Sequence, residues 1–399
     1  MKGFFNQTEL PTLRQSARIP KCGACGLFKK CKTPKMAISG QGRKGILIIG
    51  EYPGETEDDQ GVQFVGKAGR RLRQGLERVG IDADKDCWLT DAAICHPHKN
   101  QLPEQAIDYC RPNVLRAIEE LKPKVIILLG GSAVRSVIGH LWKEDCGGIG
   151  RWTGWQIPCQ RWNCFICPNY HPKDVIREEN PVLDKFFDHY LRTATRIKEK
   201  PFADKIPNYL LLVDVEMNTD EAAKKIQILT SGGKPLAFDY ETDRLAPDSE
   251  DAWIACCSVS DGYRAIAFPW QGKCIKVMRE LLCNMPFRWI ASNLKFEERW
   301  TRATFSKGVR FWYWDTMLAA HLLDNRSRVA GLKFQAFALL GQESYDDKIK
   351  PYLRSKEGGN TPNRVREAPL HDLLLYCGMD SLLEAKIAEV QRKQLKMEE

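Results

Sequence analysis

Several things are missing from this 399-residue sequence, and each absence narrows what the chain can be. No apolar run approaches the ~20 residues needed to cross a bilayer, so no membrane partner is expected. The N-terminus has no basic region followed by an apolar core, so no secretory signal is expected and the expected location is the cytoplasm. There is no internal repeat and no low-complexity tract, which sets aside solenoids and compositional linkers. Cysteine is scarce beyond Cys167, where only five of the fifteen remain. Those five sit mostly in apolar runs such as Ile254-Ala-Cys256-Cys257-Ser, which read as core packing. An unsecreted chain does not favour disulfides, so the ten earlier cysteines call for metal or thiol explanations.

What is present describes a globular protein of two or three domains, with 43% hydrophobic and 28% charged residues. A net charge of +9 suits a polyanion, though ordinary solubilising charge accounts for it equally well.

The stretch Pro235-Leu-Ala-Phe-Asp239-Tyr-Glu241-Thr-Asp243 reads as a buried strand whose two acids point to one face. Paired carboxylates on one face suit a divalent cation, while a solvated edge strand is the plain alternative. Asn293 and Glu297 stand four apart, as do Tyr376 and Asp380, a spacing that shares one helix face. In this order the three stretches resemble the motifs of the DEDD 3′–5′ exonucleases, above all the proofreading domain of family A DNA polymerases. Asp315-Thr-Met-Leu and Leu332-Lys-Phe-Gln-Ala-Phe-Ala-Leu-Leu-Gly341 fit as flanking words. Glu297 stands where that family usually has Asp. The resemblance implies an RNase H-like mixed sheet flanked by helices. It also implies two Mg²⁺ or Mn²⁺ ions on Asp239, Glu241, Glu297 and Asp380, a water oriented by Tyr376, and DNA contacted by Asn293.

In the first half, Cys22-Gly-Ala-Cys25 with Cys31 fits zinc, iron–sulfur or redox use. Gly45-Ile-Leu-Ile-Ile-Gly50 is a buried strand entering a glycine-rich loop. Arg70, Arg71 and Arg73 then open an amphipathic helix whose N-terminus suits phosphate. Further strands at Cys87–Cys95 and Lys124–Gly130 alternate with helices, one starting from Pro103 and carrying Cys110. Short strands are expected near Gln156–Cys159 and Cys164–Cys167, and the alternation argues for a parallel α/β sheet.

Gly50-Glu-Tyr-Pro-Gly54, the acidic pair Glu57-Asp58, Gln63-Phe-Val-Gly-Lys-Ala-Gly69 and Tyr170-His171-Pro172 resemble the iron–sulfur, fourth-family uracil-DNA glycosylases over about residues 18–195. That resemblance implies a [4Fe–4S] cluster on Cys22, Cys25, Cys95 and Cys110, leaving Cys31 spare. It also implies a base-flipping pocket. There Phe64 stacks the base, His171 bonds its oxygen in an oxyanion-hole role, and Glu51 helps place water. Tyr52 and Asp91 depart from the family, which has a small residue and an Asn. An ionised Asp91 accepts hydrogen bonds but does not donate them. Either base specificity has changed or the domain binds DNA without excision, and weak or absent uracil excision is expected. Cys159, Cys164 and Cys167 have zinc-like spacing but read as core thiols.

The expected organisation is a lead-in over 1–20, a glycosylase-like iron–sulfur domain over 21–196, a linker over 197–207 and a 3′–5′ exonuclease domain over 208–399. Arg326 to Asn363 is expected to be a mobile segment touching DNA. The sequence runs only to Glu399, so either a free-standing fusion or the proofreading half of a split polymerase is expected. The expected function is DNA processing in phage or bacterial replication or repair, in a bacterial or phage-infected cell, with DNA and, in the split-polymerase case, a separate family A-type polymerase as partners. The alternatives are a non-catalytic processivity module and a fully active uracil-excision enzyme.

Overall fold

The computed structural model describes residues 22–355 and 358–397, so the expected lead-in over 1–20 lies outside the described residues. The chain divides into two compact units, Met1–Ile206 and Pro207–Glu399. No helix of the described residues is long and apolar enough to cross a membrane.

The first unit runs β1 (Ile46–Gly50), α1 (Glu55–Gln60), α2 (Lys67–Glu77), α3 (Ala83–Asp86), β2 (Cys87–Asp91), α4 (Glu104–Leu121) and β3 (Val125–Leu129). It continues through α5 (Gly131–Leu141), β4 (Ile157–Cys159), β5 (Cys164–Asn169), α6 (Pro172–Glu178) and α7 (Pro181–Thr195). The sheet order is β2-β1-β3-β5-β4, parallel except for β4 at the edge. β1 and β3 are buried along their whole length, as their unbroken Ile, Leu and Val runs require of parallel strands covered on both faces. Leu72 and Leu76 of α2 and Phe187 and Leu191 of α7 pack on Ile46, Ile48 and Leu129.

One expectation changes here. β2 stops at Asp91 instead of running to Cys95. Beyond it, the Ala92 and Ala93 N–H groups donate to the carbonyls of Gly50 and Glu51 at 3.0 Å, which turns the chain across the end of β1. Within 197–207, Phe202 is pinned to the turn between β4 and β5. Asn163 Nδ2 donates to its carbonyl at 2.8 Å, and its N–H donates to Asn163 Oδ1 at 3.2 Å.

The second unit contains β6 (Val213–Val215), α8 (Thr219–Thr230), β7 (Leu236–Thr242), β8 (Ile254–Ser260), β9 (Ala265–Pro269), α9 (Lys273–Arg279) and β10 (Trp289–Ala291). Then come α10 (Lys295–Phe305), β11 (Trp312–Asp315), α11 (Thr316–Leu323), α12 (Leu332–Leu340), α13 (Lys350–Leu353) and α14 (Leu370–Gln394). Its mixed sheet has the order β11-β10-β7-β8-β9-β6, with β7, β8 and β9 antiparallel. On one side Ile226 of α8 and Trp300 of α10 join Phe238, Tyr240 and Trp289 in one core. Elsewhere Leu374 and Cys377 of α14 pack on Cys256 and Ala267.

The apolar run Tyr209–Leu212 forms a 3₁₀ turn, and pairing begins only at Val213. That apolar run has no two-residue alternation to register it on a sheet. The stretch Arg326 to Asn363 is also more ordered than expected. It holds α12, whose Phe334 and Phe337 are buried, and α13. Asn363 Nδ2 donates to the Thr242 carbonyl at 2.9 Å, tying the stretch to the end of β7.

Candidate functional site

β7 carries Asp239 and Glu241 to the middle of the second sheet, and α14 crosses against it with Tyr376 and Asp380 one turn apart. Glu241, Glu297 and Asp380 are buried, and Asp239 keeps some exposure while its Oδ2 oxygen is enclosed. Asp239 Oδ2 and Glu297 Oε2 have no hydrogen-bond partner. Burying a carboxylate without a partner is costly, so such a site calls for a cation or a proton. Without a metal the proton wins. Burial, and then the charge of Asp380, push the Asp239 carboxyl up to about 8, while burial lifts Glu241 and Glu297 well above the usual carboxylate range. Ligand atoms of Asp239, Glu241 and Cys377 lie within 4.8 Å of one another, the span of a single ion. The residues present therefore fit divalent metal.

Three neighbours of this site went unread in the sequence. Lys333 of α12 bonds Asp380 Oδ1 and donates to the Tyr345 hydroxyl at 2.8 Å. Its ammonium stands 4.1 and 4.2 Å from the ring centres of Tyr345 and Tyr376. Tyr345 also donates to Asp380. Glu384, one turn beyond Asp380, is buried beside the same acids, and its i+4 spacing from Asp380 was the available signal. Burial holds the Tyr376 phenol well above its ordinary value, so it stays neutral.

The expected helical pairing of Asn293 with Glu297 does not form. Asn293 precedes α10 in a left-handed conformation (φ 65°), is exposed, and donates its N–H to Asp315 Oδ1 at 3.1 Å. Asp315 caps α11, accepting from Met317 and Leu318, and also receives the Leu294 N–H. One aspartate thus fixes the turn that delivers Glu297.

In the first unit the base-pocket residues collect at the C-terminal ends of the strands, the usual place for a ligand in a parallel sheet. Gly50 is needed there: a Cβ would stand 2.3 Å from Asp91 Oδ1 and 2.6 Å from Phe64 Cζ. Phe64 is buried with φ 56°, a strained conformation for a bulky residue and one that gathers at functional positions. A Cβ on Gly130 would meet Glu51 Oε1 at 2.7 Å and His171 Cβ at 3.0 Å, so Glu51 and His171 flank one spot. Glu51 Oε1 accepts the Ser132 N–H at 3.3 Å, at the start of α5.

His171 Nδ1 accepts the Lys173 N–H at 3.1 Å, and burial lowers its pKa to about 4. The ring is therefore neutral, with its proton on Nε2. Burial, then Glu57 and Glu51, push the Asp91 carboxyl well above its usual range, so it carries a proton. A protonated Asp91 offers one donor and one acceptor, where an ionised one only accepts. The Tyr52 hydroxyl donates to the Asn100 carbonyl at 3.2 Å.

The family model of the uracil DNA glycosylase superfamily matches residues 39–195. A type-4 uracil-DNA glycosylase of Saccharolobus solfataricus is 32% identical over 203 residues, 48% of this chain and 88% of that protein. The chain belongs to the uracil DNA glycosylase superfamily. A 3′-5′ exonuclease family model matches residues 213–396, so a glycosylase-superfamily domain is fused to an exonuclease domain. A DNA polymerase of Bacillus phage SP01 is 26% identical over 357 residues, 78% of this chain and 36% of that protein. A solved structure of Brucella melitensis NrnC bound to pGG covers 46% of this chain and 80% of its own, at 18% identity and a TM-score of 0.34.

Within the glycosylase-superfamily domain, Cys22, Cys25, Cys95 and Cys110 line one cavity together with Phe28, Tyr109 and Asn113. Lys35 N–H donates to Cys95 Sγ at 3.2 Å, and Ile94 N–H to Cys110 Sγ at 3.4 Å. Such N–H···S bonds are how proteins tune thiolate-held clusters. Burial raises Cys95 to about 12 and Cys110 to about 11, so these thiols are protonated until a metal group displaces the protons. Among the described residues no three cysteine sulfurs lie within 4.8 Å of one another. Tetrahedral zinc needs sulfurs roughly 3.8 Å apart, from bonds of about 2.3 Å. The four thiols lining one cavity fit a thiolate-held metal group.

Cys31 touches Cys95. The next residues, Lys32 and Thr33, donate N–H groups to Asp58 at 2.8 Å each, tying the cysteine loop to the base loop. Cys159 and Cys164 face each other across β4 and β5, and with Cys167 they are buried core thiols.

The arginines divide. Arg71 is buried on Asp184 and Asp188, and Arg73 forks onto Asp84 at 2.7 and 2.9 Å. Both are committed inside the domain, which leaves Arg70 as the exposed one of the three expected to meet DNA.

Proposed function

We propose that the protein is a DNA-processing enzyme whose exonuclease domain removes nucleotides from DNA 3′ ends, with Asp239, Glu241, Glu297 and Asp380 holding two Mg²⁺ or Mn²⁺ ions. The observation that carries this reading is the pair of buried, partnerless carboxylate oxygens on Asp239 and Glu297. Bound there, the ions would supply an activated water and stabilise the leaving 3′ oxygen. The neutral Tyr376 phenol orients that water, Lys333 and Tyr345 fix Asp380, and Asn293 offers its amide to the strand.

The glycosylase-superfamily domain binds DNA around a [4Fe–4S] cluster on Cys22, Cys25, Cys95 and Cys110. Phe64 stacks a flipped base, His171 Nε2–H donates to a base oxygen, and Glu51 positions water. The alignment across both halves to a phage DNA polymerase supports a replication setting, with a separate polymerase as partner. A second reading, excision of uracil, gains from the protonated Asp91, which can present both a donor and an acceptor to the base edge.

One experiment separates these activities. The protein is incubated with single-stranded DNA holding one uracil, with and without EDTA. Laddering from the 3′ end that EDTA abolishes is the expected nuclease result, and its absence with Mg²⁺ and with Mn²⁺ overturns the nuclease. Alkali-labile product in EDTA reports excision, and its absence leaves the domain as a DNA-binding module.

A further inference from the structure

Between Tyr376 and Asp380 on α14 stands a cysteine turned toward β7. Cys377 is fully buried, and its thiol donates to the Asp239 backbone carbonyl at 3.5 Å. The next residue explains how close it comes. A Cβ on Gly378 would stand 2.4 Å from Val213 Cγ1 and 3.2 Å from Ala267 Cβ, so the glycine lets α14 press onto the sheet. The result is a mixed donor set, in which ligand atoms of Asp239, Glu241 and Cys377 all lie within 4.8 Å of one another. Within that set Asp239 Oδ2 is enclosed without a hydrogen-bond partner, while the rest of the Asp239 side chain keeps some exposure and gives an ion its way in. Cys377 also packs with Leu374, Cys256 and Ala267. A small apolar side chain would fill that space as well, without setting a sulfur beside two acids.

Resting on the nuclease reading above, we propose that Cys377 Sγ is a third ligand to the cation held by Asp239 and Glu241, which makes that position select a thiophilic ion, Zn²⁺ before Mn²⁺ and Mn²⁺ before Mg²⁺. Zinc bonds thiolate sulfur at about 2.3 Å and carboxylate oxygen at about 2.0–2.2 Å, and three protein donors leave its fourth position open. Donors already inside 4.8 Å close on one such ion by side-chain adjustment alone. Mg²⁺ demands an octahedron of oxygens and gains nothing from sulfur, whereas thiolate favours zinc. As the metal–sulfur bond forms, the S–H bond breaks and its proton leaves to solvent. Zinc should therefore take this position at concentrations far below those at which Mg²⁺ fills it.

The test titrates Cd²⁺, a thiophilic stand-in for Zn²⁺ whose bond to sulfur absorbs in the ultraviolet, into the full, EDTA-treated protein. Cys377→Ser and Asp239→Asn are measured beside the wild type, and Mg²⁺ is titrated into all three by calorimetry. Ser keeps a donor for the Asp239 carbonyl and removes the sulfur. The remaining cysteines are common to all three proteins, so the difference between wild type and Cys377→Ser isolates one thiol. The wild type is expected to show one more equivalent of cadmium–sulfur absorbance than Cys377→Ser, which should bind that ion about tenfold or more weakly while its Mg²⁺ affinity stays unchanged. A thiol that only packs would not split the two metals. Asp239→Asn should lose the same absorbance, and its survival there would put the cadmium elsewhere and overturn the proposal. Equal cadmium absorbance in wild type and Cys377→Ser, or an equal loss of Mg²⁺ affinity, also overturns it, while Mg²⁺-dependent cutting by the wild type keeps the nuclease reading. A wild type that binds neither ion and cuts no DNA ends both. If Cys377→Ser does not fold, Cys377→Ala takes its place, and if neither folds the thiol is a packing residue and the proposal is overturned.

Discussion

The base pocket and the carboxylate centre are both buried, but they treat their polar groups in opposite ways. In the pocket Glu57 accepts the Gly66 N–H at 2.7 Å, Asp58 accepts two N–H groups, and His171 Nδ1 accepts the Lys173 N–H. These loop acids are held by backbone N–H groups, which leaves the neutral His171 and the Asp91 carboxyl to face a neutral guest such as a base. In the carboxylate centre, oxygens on Asp239, Glu297 and Glu384 are left without partners, so that site is complete only with added positive charge. Self-sufficient polar groups mark a place that recognises shape, and orphaned ones mark a place that takes an ion.

The hardest test of this contrast is on the nuclease side. Asp239→Ala or Asp380→Ala should lower 3′–5′ hydrolysis about a thousand-fold or more, since a lost metal ligand costs several kcal/mol in the transition state. Base-pocket variants should leave that rate alone, and a nuclease rate that follows Phe64→Ala instead would break the contrast.

The cysteine cavity gives the next effect. Cys95→Ser or Cys110→Ser should abolish broad absorbance near ~400 nm, remove about four irons per chain, and lower the melting temperature of the first domain, because cluster binding is also folding energy. Elemental analysis finding one zinc and no iron would overturn the cluster while keeping a metal site.

Uracil recognition should respond more mildly. Excision, if present, should fall as pH rises through the titration of Asp91, because the ionised acid no longer donates. Asp91→Asn should flatten that profile and, combined with Tyr52→Ala, raise excision about ten- to a hundred-fold, matching the ~1–3 kcal/mol of an unpaired buried polar contact. A profile that rises with pH would show Asp91 working ionised.

The smallest effect is on stability. Asp239 is pushed from 3.8 to about 8 in the fold. Its protonated form is favoured there, so its contribution is fully present below the unfolded value and is lost as pH rises through about 8. In EDTA the exonuclease domain should melt several degrees lower at pH 8 than at pH 5, since ~1 kcal/mol moves a domain of this size about 2–4 °C. Mn²⁺ should erase most of that difference. A pH-independent melt in EDTA would mean that the acids are paired after all.

The layers of both domains were readable in the sequence because periodicity and unbroken apolar runs carry burial directly. β7 with Asp239 and Glu241, and α14 with Tyr376 and Asp380, formed where their patterns placed them. What pattern does not carry is the partner of each polar group. Asn293 was read onto a helix, yet its positive φ puts it in the turn before one. Arg71 and Arg73 were read as opening a phosphate-facing helix, yet Asp184 and Asp84 occupy them. The protonation of Asp91 is set by burial, which no local spacing encodes.

The tight seat of Gly50 gives genetics a handle. One methyl there would fall on both Asp91 and Phe64, plugging the floor of the base pocket from inside the sheet. Gly50→Ala in the intact gene would silence one half of a fused protein and spare the other. Comparing cells that carry it with cells that carry Asp239→Ala would tell which half the organism selects for.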